Sequence, residues 1–271
     1  GPLLALVADH VVRGRVVFPA AAYLEMARAA CVALSGGSGG ASLRRVFFLQ
    51  PLVLDGGLSE ARVRVGVSEG RFEVTSEGGG EASTAHCAGD ASAASGPLPG
   101  LSLAAARASC GEAVDAASLY SLLRSVGLEY GPRYRTLELA AVSRAAGAAV
   151  GRLCRRSRKE GTRVHPADLD SGMQLHAISR GAEQSVVRLP CAVGAARLIA
   201  TSSALIVVAV RKDDGMSLRL AGSRGSVAAT ADDVEVRSLS EHCRGDIGLV
   251  LSEYVSANAG RAAMTSAEGL L

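Results

Sequence analysis

The sequence lacks the features that mark nucleic-acid-binding and membrane proteins. Tryptophan is absent, and aromatic residues make up only 3% of the 271 positions, so a platform of rings for stacking bases is not expected. The formal net charge of +3 is too small for this length to indicate a nucleic-acid partner by charge alone. The longest apolar runs, such as Ala204–Val210, are far shorter than the roughly 18 residues that a transmembrane helix needs.

The cysteines do not occur in closely spaced pairs. The six cysteines are scattered without a C-x-x-C pattern, which excludes a zinc knuckle and a dense disulfide framework. No basic-then-apolar signal peptide opens the chain. We therefore expect free, mostly buried thiols, no metal site and a cytoplasmic location. The cysteines are Cys31, Cys87, Cys110, Cys154, Cys191 and Cys243.

Hydrophobic residues make up 48% of the chain, and their pattern predicts one helix followed by strands, twice. A helix is predicted from Pro19 to Val32, because proline suits a first turn and alanine-rich sequence follows until "SGGSGG". Strands are predicted in "LRRVFFLQPLVL", "ARVRVGVSE", "RFEVTSE" and, more weakly, "STAHCAGDASAA". The small-residue stretch from Gly89 to Arg107 is the best linker candidate.

The second half repeats this plan. A short helix in "DAASLYSLLRSVG" and two strands lead to a second proline-initiated helix in "HPADLDSGMQLHAISRGA". Four strands follow, in "ARLIATSS", "ALIVVAVRK", "MSLRLAGS" and "GSVAATADDVEVRSL". Two α+β units, each with a sheet around one helix, fit this order better than an alternating βαβ protein.

Three short motifs carry the chemistry. The first is His10-x-x-x-Gly14-x-x-x-x-Pro19, the second is "GLEYGPRY", and the third is "HPADLDSGMQ". In the third, Asp170 and Gln174 lie four residues apart, on one face of the predicted helix. A carboxyl on a buried helix face has a raised pKa, whereas histidine has an ordinary pKa near 6.5 that suits a base. Such an acid and base are what the elimination of water requires.

Each motif alone is weak, but together and in this order they are specific. On these motifs the chain resembles the dehydratase domain of modular type I polyketide synthases and, more distantly, that of animal-type fatty acid synthase. The resemblance covers most of the chain, roughly from His10 to Ser238, and includes "VRLPCAVGAARL". It implies a double hotdog fold, in which two helix-wrapped antiparallel sheets lie side by side.

The resemblance also implies a division of the chain. We predict a first hotdog at 1–95, a linker at 96–112, a second hotdog at 113–239 and a C-terminal tail or interdomain linker at 240–271. Only nine residues precede His10, fewer than in family members, so the N-terminal strands of the first hotdog are expected to be missing. Tyr134 stands where the family more often has phenylalanine.

The resemblance assigns roles to residues. It implies His10 as catalytic base, Asp170 as acid, and Gln174 as the residue that orients Asp170 or the substrate hydroxyl. Tyr130 is implied as a hydrogen-bonding helper, and Gly14 as a backbone N–H that polarises the thioester carbonyl. The expected reaction is loss of water from a β-hydroxyacyl thioester held on the phosphopantetheine arm of an acyl carrier protein, without metal or diffusible cofactor.

Partners and alternatives follow from the same resemblance. We expect neighbouring synthase domains and a homodimer, and neither nucleic acid nor membrane. The basic segment "GRLCRRSRKEG" is a solvated loop or a dock for the acidic carrier protein. His86, His176 and His242 are expected to be structural or solvated. A product-template type cyclisation domain of the same fold and a catalytically idle dimerising module are the alternative functions.

Overall fold

The computed structural model places two long helices against one face of an extended antiparallel sheet. It describes residues 2–36, 39–54, 62–77, 83–156, 160–179, 187–199, 204–212 and 215–238. The helices are α1 (Pro2–Val7), α2 (Ala20–Leu34), α3 (Leu103–Ala108), α4 (Ala116–Ser125) and α5 (Pro166–Ser179). The predicted C-terminal segment 240–271 and His242 lie outside the described residues.

The strands form two sheets. They are β1 (His10–Val12), β2 (Arg15–Val16), β3 (Gly40–Phe48), β4 (Arg62–Ser68), β5 (Arg71–Glu77), β6 (Thr84–Ala94), β7 (Glu112–Asp115), β8 (Leu128–Tyr130), β9 (Leu137–Ser143), β10 (Ala148–Leu153), β11 (Arg188–Leu198), β12 (Ile206–Lys212), β13 (Gly215–Ala221) and β14 (Val227–Ser238). The large sheet has the order β4-β5-β6-β3-β11-β14-β13-β12-β10-β9-β7, and the small one has the order β2-β1-β8.

The large sheet contains both predicted halves, joined edge to edge. The first half is β4-β5-β6-β3, and the second begins at β11, which pairs with β3 from Ala192↔Phe47 to Leu198↔Ala41. Helix α2 packs on strands of the first half, helix α5 packs on strands of the second, and the two helices contact each other. The predicted repetition of one helix and one antiparallel sheet is therefore present, with the two sheets hydrogen-bonded into one.

Helix α2 begins and ends where its sequence predicts. Pro19 is the extended residue before the helix, and the chain leaves the helix at Ser35 and Gly36, whose φ is +64°. Glycine adopts this left-handed conformation at little cost. Tyr23, Leu24 and Ala27 are buried against the sheet, where removal from water stabilises the fold.

The structure differs from the predicted linker at its start. Strand β6 runs through Gly89 to Ala94, inside the predicted linker. A Cβ at Gly89 would lie 3.0 Å from backbone atoms of Arg44 and Val46 in β3, a tight contact that glycine avoids. The short helix α3 lies within the predicted linker, where Ser102 accepts a hydrogen bond from Ala105 N–H. Its residues Leu103 and Ala106 pack on a second apolar cluster that contains Val150.

Candidate active site

His10 begins β1 and is held by the hairpin that follows it. Arg13 and Gly14 both have positive φ values, 49° and 78°, which is the two-residue turn that joins β1 to β2. The hairpin returns Val17 to the imidazole, and His10 Nδ1 lies 2.8 Å from the Val17 carbonyl oxygen. Because a carbonyl only accepts, Nδ1 carries the proton in neutral His10. Nε2 then has a free lone pair.

Asp170 lies on α5, which is buried along almost its whole length, one turn before Gln174. The side chain of His165 fixes the start of that helix, since its Nδ1 accepts the Ala167 N–H at 3.2 Å. Asp170 is only 3% exposed, and its Oδ2 accepts a hydrogen bond from Gln174 Nε2 at 2.9 Å. The predicted placement of these two residues on one helix face is present.

The structure brings together His10 and Asp170, which belong to the first and the second predicted hotdog. His10 Nε2 lies 3.9 Å from Asp170 Oδ1, and both residues line one cavity. Burial raises the pKa of Asp170 above its ordinary value, although the nearby His10 lowers this pKa in part, as do hydrogen bonds from Gln174 and Tyr130. The carboxyl therefore holds a proton to a higher pH than an exposed aspartate does.

Two tyrosine rings flank the histidine. Tyr130 is paired with His10 across strands β8 and β1, and its hydroxyl hydrogen-bonds Asp170. The ring centroids of Tyr130 and Tyr134 lie 5.5 and 5.2 Å from that of His10, both in edge-on geometry. Burial raises the pKa of Tyr130 well above its usual range. Its hydroxyl therefore stays protonated and can donate.

Gln174 is itself oriented by groups that sequence reasoning missed. Its Nε2 donates to the Tyr134 carbonyl oxygen at 3.2 Å as well as to Asp170, and its Oε1 accepts from the Tyr120 hydroxyl at 3.3 Å. Tyr120 also accepts the Leu137 N–H at 3.1 Å. Tyr120 lies on the amphipathic helix α4, and no motif in "SLYSLL" marks it as a contact of the site.

The expectation for Gly14 does not agree with the structure. Gly14 lies in the exposed hairpin turn, and its N–H donates to Glu129 Oε1 at 2.9 Å. Gly14 does not line the cavity that contains His10 and Asp170. The positive φ of the turn explains the glycine at this position, and its N–H is engaged by Glu129 outside the cavity.

The cavity around the pair is largely apolar. Its polar part includes His10, Tyr130, Asp170 and Gln174. Its apolar walls come from α2, α5 and the sheet, and include Val17, Phe18, Phe48, Leu128, Met216 and Val236. A mostly hydrophobic cleft with a few convergent polar groups is the usual form of a small-molecule site.

Two other histidines, His86 and His176, are expected from the sequence to be structural or solvated. His86 is buried between Ser76 and the Gln50 carbonyl, as expected for a structural residue. His176 is also buried, which fits a structural residue, and it lines the cavity.

In the basic segment, two arginines are engaged by carboxylates of the chain itself. Arg152 pairs with Glu138, and Arg156 pairs with Asp168 at 2.8 Å. Arg155 is exposed, while Arg158 and Lys159 lie outside the described residues. This leaves less free positive charge for docking than the sequence suggests.

Within the described part of the chain, no group of three or more metal-ligating side chains is present. None of the described helices combines the length and hydropathy needed to cross a membrane. The five described cysteines are free thiols, and all but Cys154 are buried.

Family models and relatives agree on one kind of protein. Residues 3–77 match the model described as polyketide synthase dehydratase domain, and residues 99–245 match polyketide synthase dehydratase N-terminal domain. The chain is 28% identical over 228 residues to polyketide synthase PksN of Bacillus subtilis, covering 77% of the chain and 4% of that synthase. The chain thus spans a small part of the curated relative that it matches.

Solved structures share the fold. The dehydratase domain from the CurF module of curacin polyketide synthase superposes with a TM-score of 0.78 at 22% identity, covering 87% of this chain and 89% of that one. Two inactive mutants of the CurK dehydratase, one His-to-Phe and one Asp-to-Asn, have TM-scores of 0.74 and 0.76 at 20% identity. They cover 86% and 87% of this chain and 87% and 89% of their own. The predicted double hotdog is the fold of these domains.

Proposed function

The chain belongs to the family of polyketide synthase dehydratase domains, which remove water from β-hydroxyacyl thioesters, and we propose that His10 and Asp170 are its catalytic base and acid. The observation that carries the proposal is the pair itself, with Nε2 and Oδ1 3.9 Å apart in one cavity. The inactive CurK mutants lack one histidine or one aspartate, which is the dependence that a His–Asp pair predicts.

The base step uses Nε2 of His10. The thioester carbonyl acidifies the hydrogens on the α-carbon, and the Nε2 lone pair takes one of them as the C–H bond breaks. The ring becomes a cation whose Nδ1–H remains bonded to the Val17 carbonyl, and this bond both orients the ring and stabilises its positive charge.

The acid step uses the proton that Asp170 holds. The β-carbon–oxygen bond breaks, the double bond forms between the α- and β-carbons, and the departing hydroxyl receives the proton of Asp170 and leaves as water. The proton on His10 then returns to Asp170 through solvent. Electrons balance without an oxidant or reductant, and because the base and the acid are both side chains, no step of the proposed reaction uses a metal or a diffusible cofactor.

Two neighbours assist the acid in this proposal. Gln174 holds the carboxyl in place, and Tyr120 and the Tyr134 carbonyl fix the amide of Gln174. The Tyr130 hydroxyl contacts Asp170 and helps to bind the β-hydroxyl. Such fixed hydrogen bonds cost no reorganisation during the reaction.

We further propose that the substrate arrives on the phosphopantetheine arm of an acyl carrier protein. The apolar cavity suits an acyl chain, and a long arm delivers it without release into water. The segment of PksN that this chain matches is 4% of that synthase, so neighbouring synthase domains are proposed as well. A cytoplasmic homodimer completes the proposal, and light scattering that returns a monomer at tens of micromolar would contradict the dimer.

The test is turnover of β-hydroxyacyl carrier-protein substrates, read by mass spectrometry. Loss of one water from the acyl chain supports the dehydratase, whereas cyclisation of a poly-β-keto chain would support the product-template alternative. Absence of both reactions across a panel of acyl chains, with folded protein, would indicate an idle structural module.

A further inference from the structure

Asp9, the residue before His10, fastens the turn that follows Tyr130. Its backbone carbonyl accepts the Gly131 N–H at 2.7 Å, and its side-chain Oδ2 accepts the Arg133 N–H at 2.8 Å. Asp9 does not line the cavity. Its contacts are therefore with the turn at 131–133 and not with the substrate space.

Gly131 allows the carboxylate of Asp9 to lie directly over the turn. A Cβ at position 131 would stand 2.5 Å from both Asp9 Cγ and Oδ1, which is far inside van der Waals contact. The absence of a side chain at 131 is therefore required by the position of Asp9.

The turn holds two rings against the histidine. Strand β8 ends at Tyr130, so the residues beyond it are no longer paired with β1. Tyr134 N–H donates to the Gly131 carbonyl oxygen at 3.0 Å. The position of the Tyr134 ring therefore depends on the position of the turn. The rings of Tyr130 and Tyr134 both meet the His10 ring edge-on.

We propose that Asp9 is a positioning residue for dehydration: by holding residues 131–133, it keeps Tyr130 and Tyr134 in place beside His10 and Asp170. Its effect is indirect, because it touches neither the cavity nor the reacting atoms. The inference rests on the proposed roles of His10 and Asp170. It adds the residue, Asp9, that holds the two tyrosines beside them.

The first test compares Asp9→Ala with Asp9→Asn. Alanine removes the acceptor for Arg133 N–H, and small displacements of catalytic groups cost up to about 100-fold in rate. We expect kcat of Asp9→Ala to fall about 10- to 100-fold, with a smaller change in KM. Asparagine keeps an oxygen acceptor and should restore most of kcat.

A pH profile separates positioning from general destabilisation. If Asp9→Ala releases Tyr130, the hydrogen bond that lowers the pKa of Asp170 is lost. The alkaline limb of the profile should then move to higher pH. Ser102→Ala is the matched control. Like Asp9→Ala, it removes a side chain that accepts a hydrogen bond from a backbone N–H, in this case the N–H of Ala105 at the start of α3. It should lower stability without moving the limb.

Two further measurements test the inference without relying on turnover or on the folding of a single variant. Gly131→Ala disrupts the same contact from the side of the turn and should reproduce the loss in kcat. In the free protein, the NMR signals of the His10 ring report the ring currents of the two tyrosines. They should shift in Asp9→Ala and return in Asp9→Asn.

The outcomes are distinct. An inactive wild-type chain whose His10 signals still move in Asp9→Ala contradicts the proposed function and supports the positioning. An active wild type whose kcat, pH profile and His10 signals are unchanged in Asp9→Ala overturns the positioning role. Equal losses in Asp9→Ala and Asp9→Asn also overturn it, since asparagine retains the acceptor.

Discussion

His10 and Asp170 face each other at 3.9 Å, and each is anchored by a different partner. The imidazole is held through Nδ1 by the Val17 carbonyl, and the carboxyl is held through Oδ2 by Gln174. A separation of 3.9 Å exceeds that of a hydrogen bond. The base and the acid are therefore oriented independently by other groups, and both line the cavity in which a substrate could reach them.

Replacing His10 with alanine should abolish dehydration. General acid–base groups typically contribute about 10² to 10⁴ in rate, and no other described base lies at the position of Nε2. His86→Ala is the control, because His86 Nδ1 also bonds a backbone carbonyl, that of Gln50 at 2.8 Å, but does not line the cavity. A His10→Ala enzyme with wild-type kcat in a mass-spectrometric assay would eliminate His10 as the base.

Asp170→Asn should separate the two proton transfers. Dehydration should fall by about 10² to 10⁴, because an amide is not an acid of useful strength. Exchange of the substrate α-hydrogen with deuterated solvent should persist, since His10 is intact, and it should be lost in His10→Ala. Asp168→Asn, two residues earlier on α5, is the matched control. Near-full activity of Asp170→Asn alongside an inactive His10→Ala would instead favour a one-base mechanism.

Tyr130→Phe should change the pH dependence of the reaction. The Tyr130 hydroxyl lowers the pKa of Asp170 through a hydrogen bond, so its removal raises that pKa and keeps the acid protonated to higher pH. The alkaline limb of the kcat profile should shift upward while kcat at the optimum falls. Tyr134→Phe removes a hydroxyl that has no hydrogen-bond partner among the described residues, and it should leave the limb in place. An unmoved limb in Tyr130→Phe would rule out this contact.

Local features of the fold were predictable from the sequence because their signals are local. Pro19 and Pro166 mark the starts of the two central helices, and alternation marks β4 and β5. The pairing of β3 with β11 joins residues about 150 positions apart. No local pattern specifies such a partner. Helix α1 also escaped prediction: Pro2 stands at its start, but its six residues are too few to show a periodic pattern.

The proposed catalytic residues of the site could be predicted from the sequence, but most of the hydrogen bonds among its residues could not. His10 and Asp170 are 160 positions apart, and only resemblance to a family related them before the structure brought them together. The Tyr120 contact with Gln174 and the engagement of Gly14 by Glu129 depend on how α4 and β8 pack. Such contacts arise from tertiary structure. The motif therefore identifies Gly14 but cannot show that its N–H donates to Glu129.

Glu25→Ala should destabilise the fold strongly. Glu25 and Arg28 form a buried ion pair at 2.6 Å, and Glu25 Oε1 also accepts the Arg163 N–H at 2.7 Å ahead of α5. Removing one partner of a buried pair costs about 3–5 kcal/mol, because the other charge is left unpaired. Urea denaturation should show this loss. The double change Glu25→Leu with Arg28→Met should cost less than Glu25→Ala, and an equal or larger loss would contradict the argument.

Asp170→Asn should make the folded protein more stable at alkaline pH, even though it removes the acid. Burial raises the pKa of Asp170, so the folded state resists ionising this carboxyl more than the unfolded chain does. The contribution of the Asp170 carboxyl to stability is therefore fully present below its unfolded pKa of about 3.9. This contribution is lost as the pH rises through the folded pKa. Asparagine carries no charge at any pH and avoids this loss.

The melting temperature of Asp170→Asn should exceed that of the wild type at pH 8, and the difference should shrink towards pH 4. Asp115 provides the opposite case, because hydrogen bonds from Ser118 lower its pKa and favour its charged form. Asp115→Asn should therefore give no gain at pH 8. If Asp170→Asn melted below the wild type at pH 8, the contacts of Asp170 with His10, Gln174 and Tyr130 would outweigh the cost of burying its charge.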